Sequence, residues 1–223
     1  MDIRAEIAAE REELADMLDG LRPEEWDTPS LCAGWRVREV AAHMSLGFRC
    51  PLPRMLWELL KSRGGLHRMT DRCARADAET FTTAQLADAL RENARHPWKP
   101  PVGGIAGALG HDVVHGLDIT LALGHQRKVP AGRVRVLLEN VTPKSARFFG
   151  ADLAGVELRA TDSDWSFGGD GGAGGGAPLS GTSQDLLMVL YGRRLAPGRL
   201  QGAHSDRFTA APSAPAAPGS GRE

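Results

Sequence analysis

The chain has 223 residues, with 27 basic and 28 acidic side chains and a formal net charge of −1. That balance, with no basic stripe interleaved with aromatics, speaks against a nucleic-acid partner. Apolar residues make up 42% of the chain, and no run approaches the roughly 20 needed to cross a bilayer. The charged start, Met1 to Glu6, lacks the apolar core of a signal peptide. A cytoplasmic protein with no membrane partner is expected.

Helical signals dominate the first two thirds. Ile3, Ile7, Leu14, Leu18 and Leu21 mark one apolar face, with Glu6, Glu10, Glu12 and Glu13 on the others, and Pro23 ends this first helix. Residues 26–35 hold Pro29, Gly34 and two tryptophans, the composition of a structured loop packed down by its aromatics. Arg36 to Arg49 reads as the second helix, interrupted by Pro51 and Pro53. A short helix follows through Leu60 and stops at Gly64-Gly65. Thr82 or Thr83 is the expected N-cap of the next helix, with Leu86, Leu90 and Ala94 as its buried edge before Pro97. Ile105 to Gly124 and Ala131 to Phe149 complete the helices of the first domain. Four or more helices joined by modest loops make a bundle.

Composition changes after Gly150. Val156 to Ala160 alternates as a half-buried strand does, and Gln184 to Gly192 resumes a helical pattern. The near-continuous glycine from Gly168 to Gly176 lacks a following Gly-Lys-Ser/Thr, which favours a flexible surface loop over a phosphate cradle. From His204 onward Ala, Pro, Ser and Gly dominate, too little apolar surface to offset ordering entropy. The expected organisation is a helical bundle over 1–150, a small α/β domain over 151–203 and a disordered tail over 204–223.

His111 and His115 stand four residues apart, so their imidazoles share one helical face, and Asp118 returns close to the same angle. His43 lies on the second helix and can close a site from a neighbouring strut of the bundle. Three histidines leave coordination positions open on a zinc-like ion, the arrangement of a reaction centre. The competing reading is a metal-free core in which the same rings hydrogen-bond. Cys32, Cys50 and Cys73 have no Cys-x-x-Cys spacing and read as independent thiols in packing roles. Cys32 and Trp35 read as loop packing rather than catalytic groups.

Several stretches together resemble a known family. Thr28 to His43 (Thr-Pro-Ser-Leu-Cys-Ala-Gly-Trp-Arg-Val-Arg-Glu-Val-Ala-Ala-His) resembles the opening signature of the mycothiol-dependent maleylpyruvate isomerase family, of the DinB-like superfamily. His115 to Gly124 is similar to its second signature, and Leu158 to Trp165 with Pro178 to Arg193 to its C-terminal domain. The resemblance implies a mostly α fold, a DinB-like four-helix bundle with a small C-terminal α/β domain. It also implies a divalent metal, most suitably zinc, and mycothiol as a low-molecular-weight thiol cosubstrate. His43 and His115 match family ligands. Where the isomerase pattern carries glutamate four residues before the last histidine, this chain has His111, as in the three-histidine set of other DinB-like proteins. The exchange removes a negative charge from the site, which weighs against maleylpyruvate itself as substrate. Arg193 matches a family arginine near thiol or substrate, with Arg194 as competitor and a helix-end charge as the simpler role. Asp118 is placed to orient a ligand imidazole.

The expected activity is a metal- and thiol-dependent isomerase or S-transferase acting on a small-molecule electrophile through a thiolate nucleophile. Two other classes fit the same residues: a hydrolase that activates water at the ion, and a non-catalytic protein that binds or sequesters a small molecule.

Overall fold

Asp2 accepts a hydrogen bond from the Arg4 N–H at 2.9 Å and opens α1, Ile3–Asp19. In the computed structural model, which describes residues 1–100, 102–168 and 177–211, the chain divides after Phe149 into two units. The first is built from helices. After α1 come a 3-10 turn at Pro23–Asp27, α2 (Val37–Arg49), α3 (Leu52–Lys61), α4 (Leu66–Thr80), α5 (Thr83–Glu92), α6 (Gly104–Ala122), α7 (Ala131–Asn140) and α8 (Pro143–Phe148). α1 packs on α5 and α6, and α2 packs on α4, α5 and α6. Leu14 and Leu18 of α1, Val40 and Met44 of α2, Leu86 and Leu90 of α5 and Ile119 of α6 share one core with almost no exposure. The mostly α bundle expected from the sequence is what the chain forms.

Local chemistry sets the boundaries. Thr82 caps α5 by accepting from the Gln85 N–H at 3.2 Å while Gln85 Oε1 accepts from the Thr82 N–H at 2.9 Å, a reciprocal capping box. α2 starts one residue later than its apolar pattern suggests, because Arg36 is the cap and its N–H donates to Glu39 at 2.7 Å. The single helix expected over Ala131 to Phe149 is two. Thr142 precedes Pro143 and is held extended, so the chain breaks and a new capping box starts α8. α4 was not read from the sequence. Its buried edge is Met69, Cys73, Ala74, Asp77 and Ala78, a face that includes a carboxylate in a segment that is polar as a whole. With Leu46, Cys50 and Met69, Cys73 forms a small apolar cluster, and burial pushes the Cys50 and Cys73 thiols up in pKa, consistent with packing roles.

One face of α1 departs from the expected pattern. Glu10, assigned to a solvated face, has no exposure, and neither has Arg11. Glu10 accepts from Arg133 of α7 at 2.6 Å and from Arg127 at 2.8 Å. Arg133 also reaches Glu6 and Glu13, each at 2.8 Å, and so ties α7 to three successive turns of α1. Burial raises the Glu10 carboxyl against the pull of both arginines, while the Arg133 hydrogen bond holds Glu13 down.

In the second unit, β1 (Val156–Ala160) pairs antiparallel with β2 (Ser166–Phe167) and parallel with β3 (Ala177–Gly181), giving the order β2-β1-β3. α9, Ser183–Leu190, packs on β1 and β3 and is capped by Thr182, which accepts from the Asp185 N–H. The expected tail does not begin at His204. Ser205–Phe208 forms a 3-10 turn, Phe208 is 6% exposed, and Leu195 exchanges backbone hydrogen bonds with Phe208 and Ala210 at 2.8 Å each. Residues 212–223, and most of the Gly168 to Gly176 loop, lie outside the described residues. Among the described residues no helix is long and apolar enough to cross a membrane.

The Arg133 cluster has a measurable worth. Arg133→Met leaves the Glu10 charge inside the fold without its closest cation, and breaking such a pair costs about 3–5 kcal/mol. Urea unfolding should read a loss of that size, and adding Glu10→Gln should recover a large part of it. A loss under about 1 kcal/mol would mean the cluster is solvated and contributes little.

Candidate metal centre

The loop before α2 is shaped to reach α6. Trp35 N–H donates to the Cys32 carbonyl at 3.0 Å, closing a turn whose third residue, Gly34, has φ 77°, a conformation glycine adopts without strain. The Ser30 hydroxyl donates to the Trp35 carbonyl at 2.9 Å and accepts from the Cys32 N–H at 3.1 Å. Leu31 N–H then donates to the Asp118 carbonyl at 3.1 Å, which docks the loop on α6. The Trp35 indole N–H reaches Asp71 of α4 at 2.7 Å.

On this frame the three histidines meet. His43 projects from α2, and His111 and His115 from α6, with ring centroids 4.8–5.0 Å apart pairwise. One nitrogen from each ring lies within 4.8 Å of the others. His43 Nε2 and His111 Nε2 are 3.3 Å apart, and two nitrogens about 2.0–2.1 Å from a tetrahedral ion are separated by roughly 3.3–3.4 Å. His111 and His115 keep 11% and 13% side-chain exposure, so the cluster is enclosed but not sealed.

Each histidine of α6 has a carboxylate behind it. His111 Nδ1 lies 2.8 Å from Asp112 Oδ1, and His115 Nδ1 lies 3.0 Å from Asp118 Oδ2. Both aspartates have no side-chain exposure. Asp112 is held in turn by Arg11, whose Nε donates to Oδ2 at 2.8 Å. Asp118 Oδ2 also accepts from the Cys32 thiol at 3.0 Å, and that sulfur is 3.6 Å from His115 Nδ1. Cys32 was read as loop packing; its sulfur in fact touches the aspartate and histidine of the site. It lies near His115 Nδ1, the nitrogen that faces Asp118, and the donor atoms of Cys32, His115 and Asp118 form a second group within 4.8 Å of one another.

Two indoles flank the cluster. Trp35 lies 5.1 Å from the His43 ring centre and Trp98 lies 5.0 Å from that of His111. Trp98 occupies space that only a glycine on α2 leaves open, since a Cβ at Gly47 would overlap its Cε2 and Nε1 atoms. Neither Arg11, Asp112 nor Trp98 was singled out from the sequence. The sequence does hold a signal for Asp112, a carboxylate next to a candidate ligand inside an apolar helix. Of the arginines expected to serve the site, Arg193 follows Gly192 (φ 75°) at the end of α9 and donates to the Tyr191 carbonyl at 2.8 Å. Arg194 is exposed.

Comparison with known proteins agrees with the motifs. Residues 7–97 match the family model described as the mycothiol maleylpyruvate isomerase N-terminal domain. The fold is similar to that of a crystal structure of the mycothiol-dependent maleylpyruvate isomerase, with a TM-score of 0.53, 16% identity and 92% of each chain covered. No curated protein matches the chain. The likeness to the mycothiol-dependent maleylpyruvate isomerase family expected from the sequence is therefore borne out.

The Gly47 contact yields a direct check. Gly47→Ala should drive Trp98 off His111 and lower stability by about 1–3 kcal/mol, the usual cost of overpacking. The fluorescence difference between wild type and Trp98→Phe isolates the indole, and Gly47→Ala should shift that difference spectrum towards that of a solvated tryptophan.

Proposed function

We propose that the chain is a metal- and thiol-dependent isomerase or S-transferase acting on a small electrophile. His43, His111 and His115 hold a divalent ion, zinc being the best match to three imidazoles, with mycothiol as the thiol. The carrying observation is where the ring protons go. Nδ1 of His111 and of His115 each faces a buried carboxylate, which accepts and does not donate. A neutral His111 bonded in this way turns its Nε2 towards His43, whose Nε2 is 3.3 Å away. That spacing, and the convergence of one nitrogen from each of the three rings within 4.8 Å, match the ligands of one ion. A cation on all three suits the geometry.

When bound, such an ion favours thiolate over thiol at an open coordination position, supplying a nucleophile at neutral pH. The chain's own residues do the rest. The two aspartates fix ring orientation, and the indoles of Trp35 and Trp98 wall the centre and limit water. Cys32 is engaged with Asp118 and His115, which supports an external thiol as the nucleophile; the matched domain and the solved structure are both named for mycothiol. The thiolate sulfur bonds to an electron-poor carbon and the double-bond pair moves onto the conjugated group. An isomerase then expels the thiol after rotation about the single bond, and a transferase keeps it. In the C-terminal unit, Arg193 and Arg194 are the cations proposed to receive an anionic group of thiol or substrate.

Elemental analysis of the purified protein should find one divalent ion per chain, falling at least several-fold in His43→Ala, His111→Ala and His115→Ala. With mycothiol and an α,β-unsaturated carbonyl compound, mass spectrometry should show thiol-dependent turnover. Unchanged product mass with catalytic thiol identifies an isomerase, and a retained adduct identifies a transferase. Thiol-independent cleavage of a substrate bond with uptake of water, tested on an ester or amide, would assign a hydrolase, and ligand binding that survives metal removal without turnover would assign a binding protein. Equal metal content in all three variants removes the site.

A further inference from the structure

Asp112 sits between two donors. Its Oδ2 accepts from Arg11 Nε and its Oδ1 faces His111 Nδ1, both at 2.8 Å. Arg11 is itself fixed by the backbone, its Nη1 donating to the carbonyls of Asn93 and His96 at 3.0 Å each. Arg11 and Asp112 have no side-chain exposure and come from helices 101 residues apart in sequence. A guanidinium only donates, so it binds one oxygen of the carboxylate and leaves the other as an acceptor. His111 Nδ1 must then carry the proton, and its Nε2 must present the lone pair.

We infer that Asp112 and Arg11 are positioning residues for His111: the carboxylate sets the tautomer and aim of the ring, and the guanidinium sets the carboxylate. This rests on reading the three histidines as ligands. A purely structural ion pair between α1 and α6 would need neither a second carboxylate oxygen turned to His111 nor a 2.8 Å approach to Nδ1. The consequence is specific. The amide of Asp112→Asn is nearly isosteric with the carboxylate but has a single oxygen for two donors. Arg11 cannot give up its proton, so the oxygen stays with it and the NH2 faces His111. The ring answers by moving its proton to Nε2, closing the lone pair aimed at the ion.

The test reads the tautomer and the metal separately. Long-range 1H–15N spectra of metal-free protein should show His111 protonated at Nδ1 in the wild type and at Nε2 in Asp112→Asn. Zinc affinity by chelator competition should be about 10–100-fold weaker in Asp112→Asn, the usual cost of losing such a partner. Arg11→Lys keeps a cation beside Asp112 but loses the fixed fork, so it should weaken zinc affinity by less than Asp112→Asn does; a lowered melting temperature with wild-type zinc affinity would make Arg11 a structural ion pair and overturn its positioning role. An Nε2-protonated His111 in the wild type overturns the inference without any variant, which matters if Asp112→Asn folds poorly. Wild-type zinc affinity in Asp112→Asn, with His111→Ala still abolishing uptake, overturns it while leaving the ligand assignment intact. A wild type that takes up no zinc removes the ligand assignment and the positioning role with it.

Discussion

Two carboxylates with no exposure lie on α6, and the first unit is organised around compensating them. Moving a carboxylate from water into a protein interior costs several kcal/mol even after relaxation. Asp112 meets that cost with Arg11, drawn from α1, while Asp118 accepts from the Cys32 thiol on the loop before α2. Each solution also spends part of the carboxylate on a histidine of the same helix, so the groups that make the charges tolerable are also the ones that orient the rings. Apolar residues at 112 and 118 would pack at no such cost. The polar alternative makes sense when α6 must present two imidazoles at fixed angles.

The fold supplies that geometry from rigid parts. α6 spaces His111 and His115 one turn apart, which sets their ring centres 4.8 Å from each other. α2 packs against α6 and delivers His43 at nearly equal distance from both. Ligands carried on packed helices hold their positions to a fraction of an ångström more readily than ligands on loops. The Arg11 side chain adds a third helix to the arrangement and, through the carbonyls of Asn93, Ala94 and His96, the connection that follows α5. Any slide of α1 along α6 would disturb the Asp112 carboxylate and with it His111.

Much of this was legible in the sequence, because periodicity reports which residues share a face. His111, His115 and Asp118 were read together on that ground, and His43 was placed on the second helix. What periodicity cannot report is a polar group buried by a partner a hundred residues away. Glu10 and Arg11 look like one solvated face of α1, yet both are buried, one against Arg133 and Arg127 and the other against Asp112. Cys32 was assigned to loop packing because a lone thiol carries no pattern, and its role depends on Leu31 docking at the Asp118 carbonyl. α4 escaped for a different reason: a buried face made of alanine, cysteine, one methionine and the carboxylate of Asp77 lies in a segment that is polar overall. The break before Pro143 was readable, since a residue preceding proline resists helix, but the flanking apolar pattern outweighed it.

The division of labour within the centre follows from these origins. The nitrogens that converge come from α2 and α6, whereas the side chains that wall them come from connections: Trp35 and Cys32 from the turn before α2, and Trp98 from the segment after α5. Helix positions are locked by the core on every side, and exchanging one disturbs packing throughout the bundle. Loop positions tolerate exchange, so chemistry and selectivity separate. Trp98 joins the two parts, because its ring needs the space left by Gly47, one turn beyond His43 on α2. The indole beside His111 is therefore seated against the same helix that carries His43. Its position relative to His111 is set by backbone packing, not by a flexible loop alone.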